Sequence, residues 1–448
     1  MSAEIDSGTL EARARELVER ALKAGADQAD AVVVRGRSRS VSVRLGKVEA
    51  TESSESDDFS LRVFIGRQVA SVSANPGFDL QTLAERAVAM AKASPEDPYA
   101  GLAAPEALAR TIADLQLYDA TEVSSAALTE AALAAEAAAL AVPGVTNSSG
   151  AGASAGAGGL VLVTSHGFSG SYLGTRFGVS VSAIAGEGTK MERDYDYDSK
   201  LYHAELKSPD EIGQLAGERA VRRLSPRQVP TQKNVTVVFD PRMSRGLASQ
   251  IAGAINGGSV ARKTTFLRDR MGEQIMARGI RITDNPLVVR GPASRPFDGE
   301  GVAGGPLVMV EDGVLNHWFL SSAIGREIGL PTNGRGVRSG PTVGAASTNF
   351  AIEPGTISPQ ELIRQVGTGF YVTELIGNGA NLLTGEYSRG ASGFWIENGE
   401  IAYPVSEVTI ASNLKEMLMA ITLADDVDRA FGTAAPTLAI EGMTLAGR

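Results

Sequence analysis

Apolar residues near the start of the chain recur at helical spacing. Leu10, Ala14, Leu17, Val18, Ala21 and Leu22 share one side of a segment from 9 to 24, and Gly25 stops it. The period then changes. Ala31-Val32-Val33-Val34 is a continuous apolar run, and 40–45 and 59–65 alternate as half-buried strands do. Gly66-Arg67 followed by 68–72 predicts the return strand of a hairpin. Asp79 is placed to cap a helix reaching about Ala93, ended near Pro95 and Pro98, and Ser125 to Leu140 predicts another helix. The stretch Gly150 to Gly159 contains only Gly, Ala and Ser and predicts a flexible hairpin tip leading into the strand at 160–163. Strand-like patterning continues to 195, and a helix is expected from Pro209 to Leu224. After a strand at 235–239, Asp240-Pro241 opens a helix with Ser244, Leu247, Ala248, Ile251 and Ile255 along one side. Beyond 300 come short alternating strands rich in glycine, a tight turn at Asn398-Gly399 and a helix that includes 360–365.

This order of elements predicts an α+β fold. N-terminal helices pack on an antiparallel sheet within residues 1–230, and a β-rich C-terminal domain of curved, Gly-rich strands occupies 231–448. A chain of 448 residues suits two or three domains, and 43% hydrophobic content supplies their cores.

Composition then removes whole classes of chemistry. There is no Cys, so disulfides, thiol catalysis and iron–sulfur ligation are excluded. The three histidines, His166, His203 and His317, are far apart, and no His-Glu-x-x-His pair exists. A conventional catalytic zinc site needs three protein ligands, so this chain is not expected to build one. The net charge of −10 works against nucleic-acid binding, which relies on clustered Lys and Arg. The strongest basic group, Arg219, Arg222, Arg223, Arg227 and Lys233, ends a helical pattern and reads as a solvated face. The start, Met1 to Asp6, does not resemble a signal peptide, and Ala126 to Val142 is interrupted by Glu130 and Glu136. A cytoplasmic protein without membrane contact is expected.

The remaining motifs are incomplete. The Gly-rich stretch lacks the Gly-Lys-Ser/Thr ending of a phosphate loop. Asp194, Asp196 and Asp198, with Glu205 at position twelve, have EF-hand spacing, but Ser199 stands where that loop requires Gly. Two readings stay open: a cation site, or an exposed strand end with three carboxylates on one face and Tyr195 and Tyr197 on the other. Neither Ser165-His166 nor 384–388 forms a G-x-S-x-G nucleophile elbow.

Three further segments are more specific: Asn256-Gly257-Gly258 through 262–267 to Asn285-Pro286, Phe297 to Val302, and Gly369 to Gly377 continuing through Asn381 and 384–388 to Trp395. In order and wording they resemble the TldD/PmbA family, in its PmbA (TldE) branch, across essentially the whole chain. The resemblance implies a two-domain fold and a cytoplasmic heterodimeric peptidase. Its TldD-type subunit carries zinc on a His-Glu-x-x-x-His helix plus a C-terminal Cys, and the PmbA-type subunit helps to enclose a cavity for unfolded peptides. On this chain the motif positions hold Ala248, Ser249 and Gly253. No catalytic residue and no metal ligand is therefore carried over, and zinc is expected in the TldD-type partner. Candidates for the cavity or the subunit interface are Asn256, Gly257, Arg262, Lys263 and Phe266, with Asn381, Thr384, Gly385, Tyr387, Ser388 and Phe394. The competing reading gives their glycines to tight turns and close strand packing. The resemblance also leaves a homodimer possible where the partner is missing. Two other functions stay in view: a chaperone-like peptide-binding module without hydrolysis, and a regulator of DNA gyrase, which the acidic balance disfavours.

Overall fold

Long runs of alternating residues make the first sheet unusually extended. The computed structural model describes residues 7–75, 77–377 and 379–448, so the expectation for Met1 to Asp6 lies outside the described residues. The first half comprises α1 (Ser7–Lys23), β1 (Gln28–Arg44), β2 (Lys47–Ile65), β3 (Gln68–Ala74), α2 (Leu80–Ala93), α3 (Ser125–Leu140), β4 (Val145–Thr164), β5 (Ser169–Ala185), β6 (Glu192–Lys200) and α4 (Pro209–Arg222). Its strands form one antiparallel sheet in the order β3-β2-β1-β4-β5-β6.

Two helix pairs cover separate stretches of this sheet. Leu10, Leu17, Leu83 and Val88 of α1 and α2 pack on Val33, Leu61, Val63 and Val161. Leu128, Ala132, Ile212 and Ala216 of α3 and α4 pack on Val41, Val43, Val179 and Val181. The helix starts match their caps, with Asp79 accepting from the Thr82 amide and Ser208 from that of Glu211. Helices α3 and α4 approach so closely that a Cβ on Gly213 would stand 2.2 Å from the Ala135 carbonyl oxygen, a position only glycine fills.

The Gly150 to Gly159 stretch is not a hairpin tip. It lies inside β4, paired with β1 from Ala151↔Val43 to Gly159↔Arg35 and with β5 on the other side. Neighbours on both edges supply the hydrogen bonds that the composition cannot announce. The small residues Ala155, Ala157 and Gly159 stand in register with Arg39, Arg37 and Arg35.

The second half contains β7 (Gln232–Phe239), α5 (Pro241–Ala254), α6 (Gly257–Ala261), β8 (Ile282–Asn285), β9 (Leu307–Glu311), β10 (Val314–Leu315), α7 (Ser322–Ile328), β11 (Gly336–Ser339), β12 (Thr342–Ala345) and β13 (Asn349–Ile352). It continues with α8 (Pro359–Val366), β14 (Gly369–Ile376), β15 (Glu386–Glu397), β16 (Glu400–Asn413), α9 (Leu414–Met419), β17 (Ile421–Leu423), β18 (Thr433–Ala434) and β19 (Leu438–Ala446). One sheet runs β16-β15-β14-β7-β19-β17, and an additional β16–β19 pairing curls it towards closure. A second runs β10-β9-β8-β13-β18. Helix α5 shares one core with both: Leu247, Ala248 and Ile251 are buried with Phe370, Val372 and Trp395 of the first sheet and Ile282, Met309 and Phe350 of the second.

The halves meet through buried charge. Asp30 of β1 is fully buried, with Arg62 Nη2 at 2.5 Å and Arg338 Nη1 of β11 at 2.7 Å. Burial alone would raise the Asp30 carboxyl, but the Arg338 and Arg62 charges hold it below the ordinary carboxylate range. Beside this group, Phe297 inserts edge-on against Phe168 and Tyr172, with ring centroids 4.9 and 5.4 Å away. Replacing Asp30 by Ala strands two guanidiniums in the seam and is expected to cost about 3–5 kcal/mol. Urea unfolding measures this, and a loss below about 1 kcal/mol would contradict a buried pairing at the seam.

Candidate functional site

The site is built around the C-terminal end of α5. Asp240 starts the helix by accepting from the Arg242 amide at 2.8 Å, and Pro241 fills the first turn, where its missing N–H costs nothing. The chain leaves α5 directly into α6. Asn256 caps α6, accepting from the Gly258 amide at 2.9 Å, and its Nδ2 donates to the Ala345 carbonyl at 2.5 Å. A Cβ on Gly257 would meet the Phe319 carbonyl oxygen at 2.5 Å, so the close passage of these backbones needs glycine. Arg262 and Lys263 follow at the exposed end of α6.

The second candidate segment folds onto this one. The Phe266 amide donates to the Leu382 carbonyl at 2.8 Å. Asn381 organises the loop: its Oδ1 accepts from the Leu383 amide at 2.9 Å, and its backbone exchanges bonds with Glu386 and Gly385 at 2.8 and 2.7 Å. Gly385 has φ +87°, and the Leu414 amide donates to its carbonyl at 2.6 Å. The Thr384 hydroxyl stays exposed near Glu386, at 3.3 Å. Tyr387 turns into the core while Ser388 faces solvent. Burial pushes the Tyr387 phenol up to about 12 against the opposing charge of Arg389. Phe394 is not part of this group. It is buried further along β15, with the Arg222 guanidinium of α4 5.2 Å from its ring centroid.

The residues that would face a metal on α5 carry few donors. Ala248 is buried in the core, and the exposed Ser249 donates its hydroxyl to the Arg245 carbonyl at 2.9 Å. At Gly253 a Cβ would stand 3.1 Å from Leu382 Cδ1, so the loop already fills the space beside that position. Among the described residues no group of three or more His, Cys, Asp or Glu is placed to hold a metal ion. His166 is 2.8 Å from the Ala103 carbonyl, and the His203 ring packs edge-on against Phe177.

Asp194, Asp196 and Asp198 share one face of β6 and alternate with Tyr195 and Tyr197, but that face is buried rather than an exposed strand end. Cations neutralise it: Arg219 lies 2.5 Å from Asp196, Arg242 lies 3.0 Å from Asp194, and Lys200 lies 3.6 Å from Asp198. Glu205 is turned to Arg290 instead, at 2.7 Å. The basic run is only partly a solvated face, with Arg222, Arg227 and Lys233 exposed. Arg219 and Arg223 pair with buried carboxylates, and Arg222 and Arg227 lie over Phe394 and Tyr403.

With this geometry in view, comparison with known proteins decides the family. Residues 29–91, 118–224 and 231–447 match, in turn, domain 1, the central domain and the C-terminal domain of the PmbA/TldA metallopeptidases. The chain belongs to the PmbA/TldD family. It is 36% identical to a Haemophilus influenzae metalloprotease PmbA homolog, over 99% of both chains. Among solved structures, a candidate modulator of DNA gyrase from Bacteroides thetaiotaomicron superposes with a TM-score of 0.90 at 27% identity, covering 99% of each chain. TldE from Thermococcus kodakarensis superposes with a TM-score of 0.83 at 22% identity, covering 97% of this chain and 99% of its own. The α+β architecture expected from the sequence is thus the PmbA/TldD fold. Among the described residues no helix is long and apolar enough to cross a membrane.

Reasoning from the sequence missed four contributors. Leu382 and Arg389 lie within the family-like third segment but are ordinary in type. Asp298 and Glu300 lie in the second segment, and their signal was two carboxylates two residues apart between glycines. Both are buried. Asp298 accepts from the Glu300, Val302 and Gly336 amides at 2.9, 2.9 and 2.7 Å, and Glu300 accepts from the Ser322 amide at 2.7 Å. Burial, reinforced by the Asp298 charge, pushes Glu300 up to about 7, against the Ser322 amide and Arg62. A carboxyl raised in the folded state gives its full stability below the unfolded value of 4.5 and loses it as pH rises through about 7. Thermal melts of the wild type should therefore fall across that window, and Glu300→Gln should flatten the fall. Parallel curves for the two proteins would show that Glu300 titrates normally.

Proposed function

We propose that this chain is the metal-free subunit of a two-subunit, zinc-dependent peptidase that acts on unfolded or leader peptides in the cytoplasm. The observation that carries this reading is the end of α5. The family pattern for the zinc-bearing subunit needs side-chain ligands at positions that here hold Ala248, Ser249 and Gly253, and Leu382 closes on the last of them. These residues do not fit zinc, whose ligands are thiolate, imidazole or carboxylate. The metal would come from a TldD-type partner, where it would activate water and polarise the peptide carbonyl.

This chain would shape access instead. The α5–α6 turn and the 381–388 loop are joined at Phe266 and Leu382 and present Arg262, Lys263, Thr384 and Ser388 outward. In this reading they line the peptide cavity or the face that meets the partner. Backbone-directed contacts would suit a site that accepts many sequences.

The test is cleavage of an unstructured peptide by this chain alone, by a TldD-type partner alone and by the two together, with and without a zinc chelator. Cleavage is expected only with the partner present, and chelation should abolish it. Chelator-resistant cleavage by the isolated chain would refute the proposal. Binding without cleavage in every arm would favour a chaperone-like module.

A further inference from the structure

Strand β15 carries a charge on the face of the sheet that is otherwise apolar. From Glu386 to Ala391 its register with β16 runs without a bulge, so Tyr387, Arg389 and Ala391 share one face. Tyr387 and Ala391 belong to the main core, and so do Ile410 and Val408, the β16 partners of Arg389 and Ala391. Arg389 is therefore a guanidinium set into a row of core residues. Its stem runs against the candidate loop, since a Cβ on Gly379 would stand 2.8 Å from Arg389 Cγ.

The surroundings leave that charge uncompensated within the chain. Arg389 Nε is buried and makes no hydrogen bond. Its polar neighbour is the Tyr387 phenol, which burial keeps protonated. Among the described residues no carboxylate comes within the 4.0 Å of an ion pair. By contrast, the more deeply placed Arg62, Arg223, Arg335 and Arg338 each reach an Asp or Glu, while Arg295, half-buried like Arg389, also keeps an Nε without a hydrogen bond. A half-buried guanidinium is still partly hydrated, but a counter-charge would be favourable at its withdrawn Nε side, and the planar fork of Arg suits a carboxylate best.

We propose that Arg389 receives a carboxylate of a bound extended peptide, either its C-terminal group or an acidic side chain, at the 379–385 loop. The inference rests on the peptide-cavity reading above and adds a chemical preference to it. Two features favour a substrate group over a carboxylate of the partner subunit. Arg389 shares a face of the sheet with core residues, and it lies against the loop that reaches α5 through Leu382. It is only half-buried, so an incoming group can still reach the fork. The Tyr387 hydroxyl stands ready as a second, neutral partner.

The test uses three fluorescent unstructured peptides with one common sequence free of Asp and Glu: a C-terminal acid, its C-terminal amide, and an amide carrying a single internal Glu. Fluorescence anisotropy measures their binding to the chain assembled with its TldD-type partner, with chelator present to stop turnover. The acid, the Glu-bearing amide, or both should bind about tenfold tighter than the plain amide, as a charge-assisted pair predicts. Which of them gains tells the terminal carboxylate from a side chain. Arg389→Met should erase the gain, and Arg389→Lys should keep part of it.

Equal binding of all three peptides to the wild type overturns the inference while leaving the cavity reading intact. Binding of none overturns both. That wild-type comparison decides the matter even where Arg389→Met fails to fold. An Arg389→Met chain that keeps the carboxylate preference but assembles poorly with its partner would assign the guanidinium to the subunit contact and overturn the proposal.

Discussion

One carboxylate held between two guanidiniums fixes how the halves of this protein meet. Asp30 comes from the first sheet, as does Arg62, while Arg338 arrives from the C-terminal domain. Such a buried group is weak evidence of net stability, because desolvation offsets much of the attraction. Its value is geometric: the observed docking of the two halves satisfies all three charges. The same logic recurs at β6, where Arg242 of α5 reaches Asp194, and at β14, where Glu374 meets Arg223 of α4. The start of α5 is thus tied to the N-terminal sheet, and the position of its far end, where the candidate site lies, follows.

That far end keeps the frame of the family's core. The helix is still enclosed by two sheets, and the turn into α6 still demands Gly257. What differs is local. Small side chains at Ala248 and Gly253 leave room, and Leu382 takes part of it. A ligand lost from such a core would leave a void unless a neighbour filled it, and voids are costly in close-packed interiors. Leu382 Cδ1, 3.1 Å from where a Cβ at Gly253 would stand, occupies the space beside that position and keeps the core close-packed there.

Much of the fold was legible because it is written locally. The caps at Asp79, Ser208 and Asp240 and the apolar side of α5 follow from neighbours a few residues away. The failures were non-local. Gly150 to Gly159 forms strand because β1 and β5 pair with it from more than a hundred residues before and from just after it. The carboxylates of β6 read as exposed because their counter-ions, Arg219, Arg223 and Arg242, are supplied by later helices. Likewise the joining of Phe266 to Leu382 spans two segments that no spacing rule connects. Family wording placed both segments near the site, but only packing separated Phe394 from the rest.

The buried charges of this chain sort into two kinds, and the difference has functional content. At the seam Asp30 answers both Arg62 and Arg338, and the buried Glu300 responds to its burial by holding its proton more tightly. An arginine has no such escape, because its guanidinium stays charged at any physiological pH. Arg389, half-buried, has no carboxylate within ion-pair distance, and it breaks the alternation that the adjacent positions on its face obey. Proteins tolerate such local inconsistencies where a function gains from them. That places the exception on the strand whose leading end forms the site, and makes a half-buried charge on the core face the most informative residue on it.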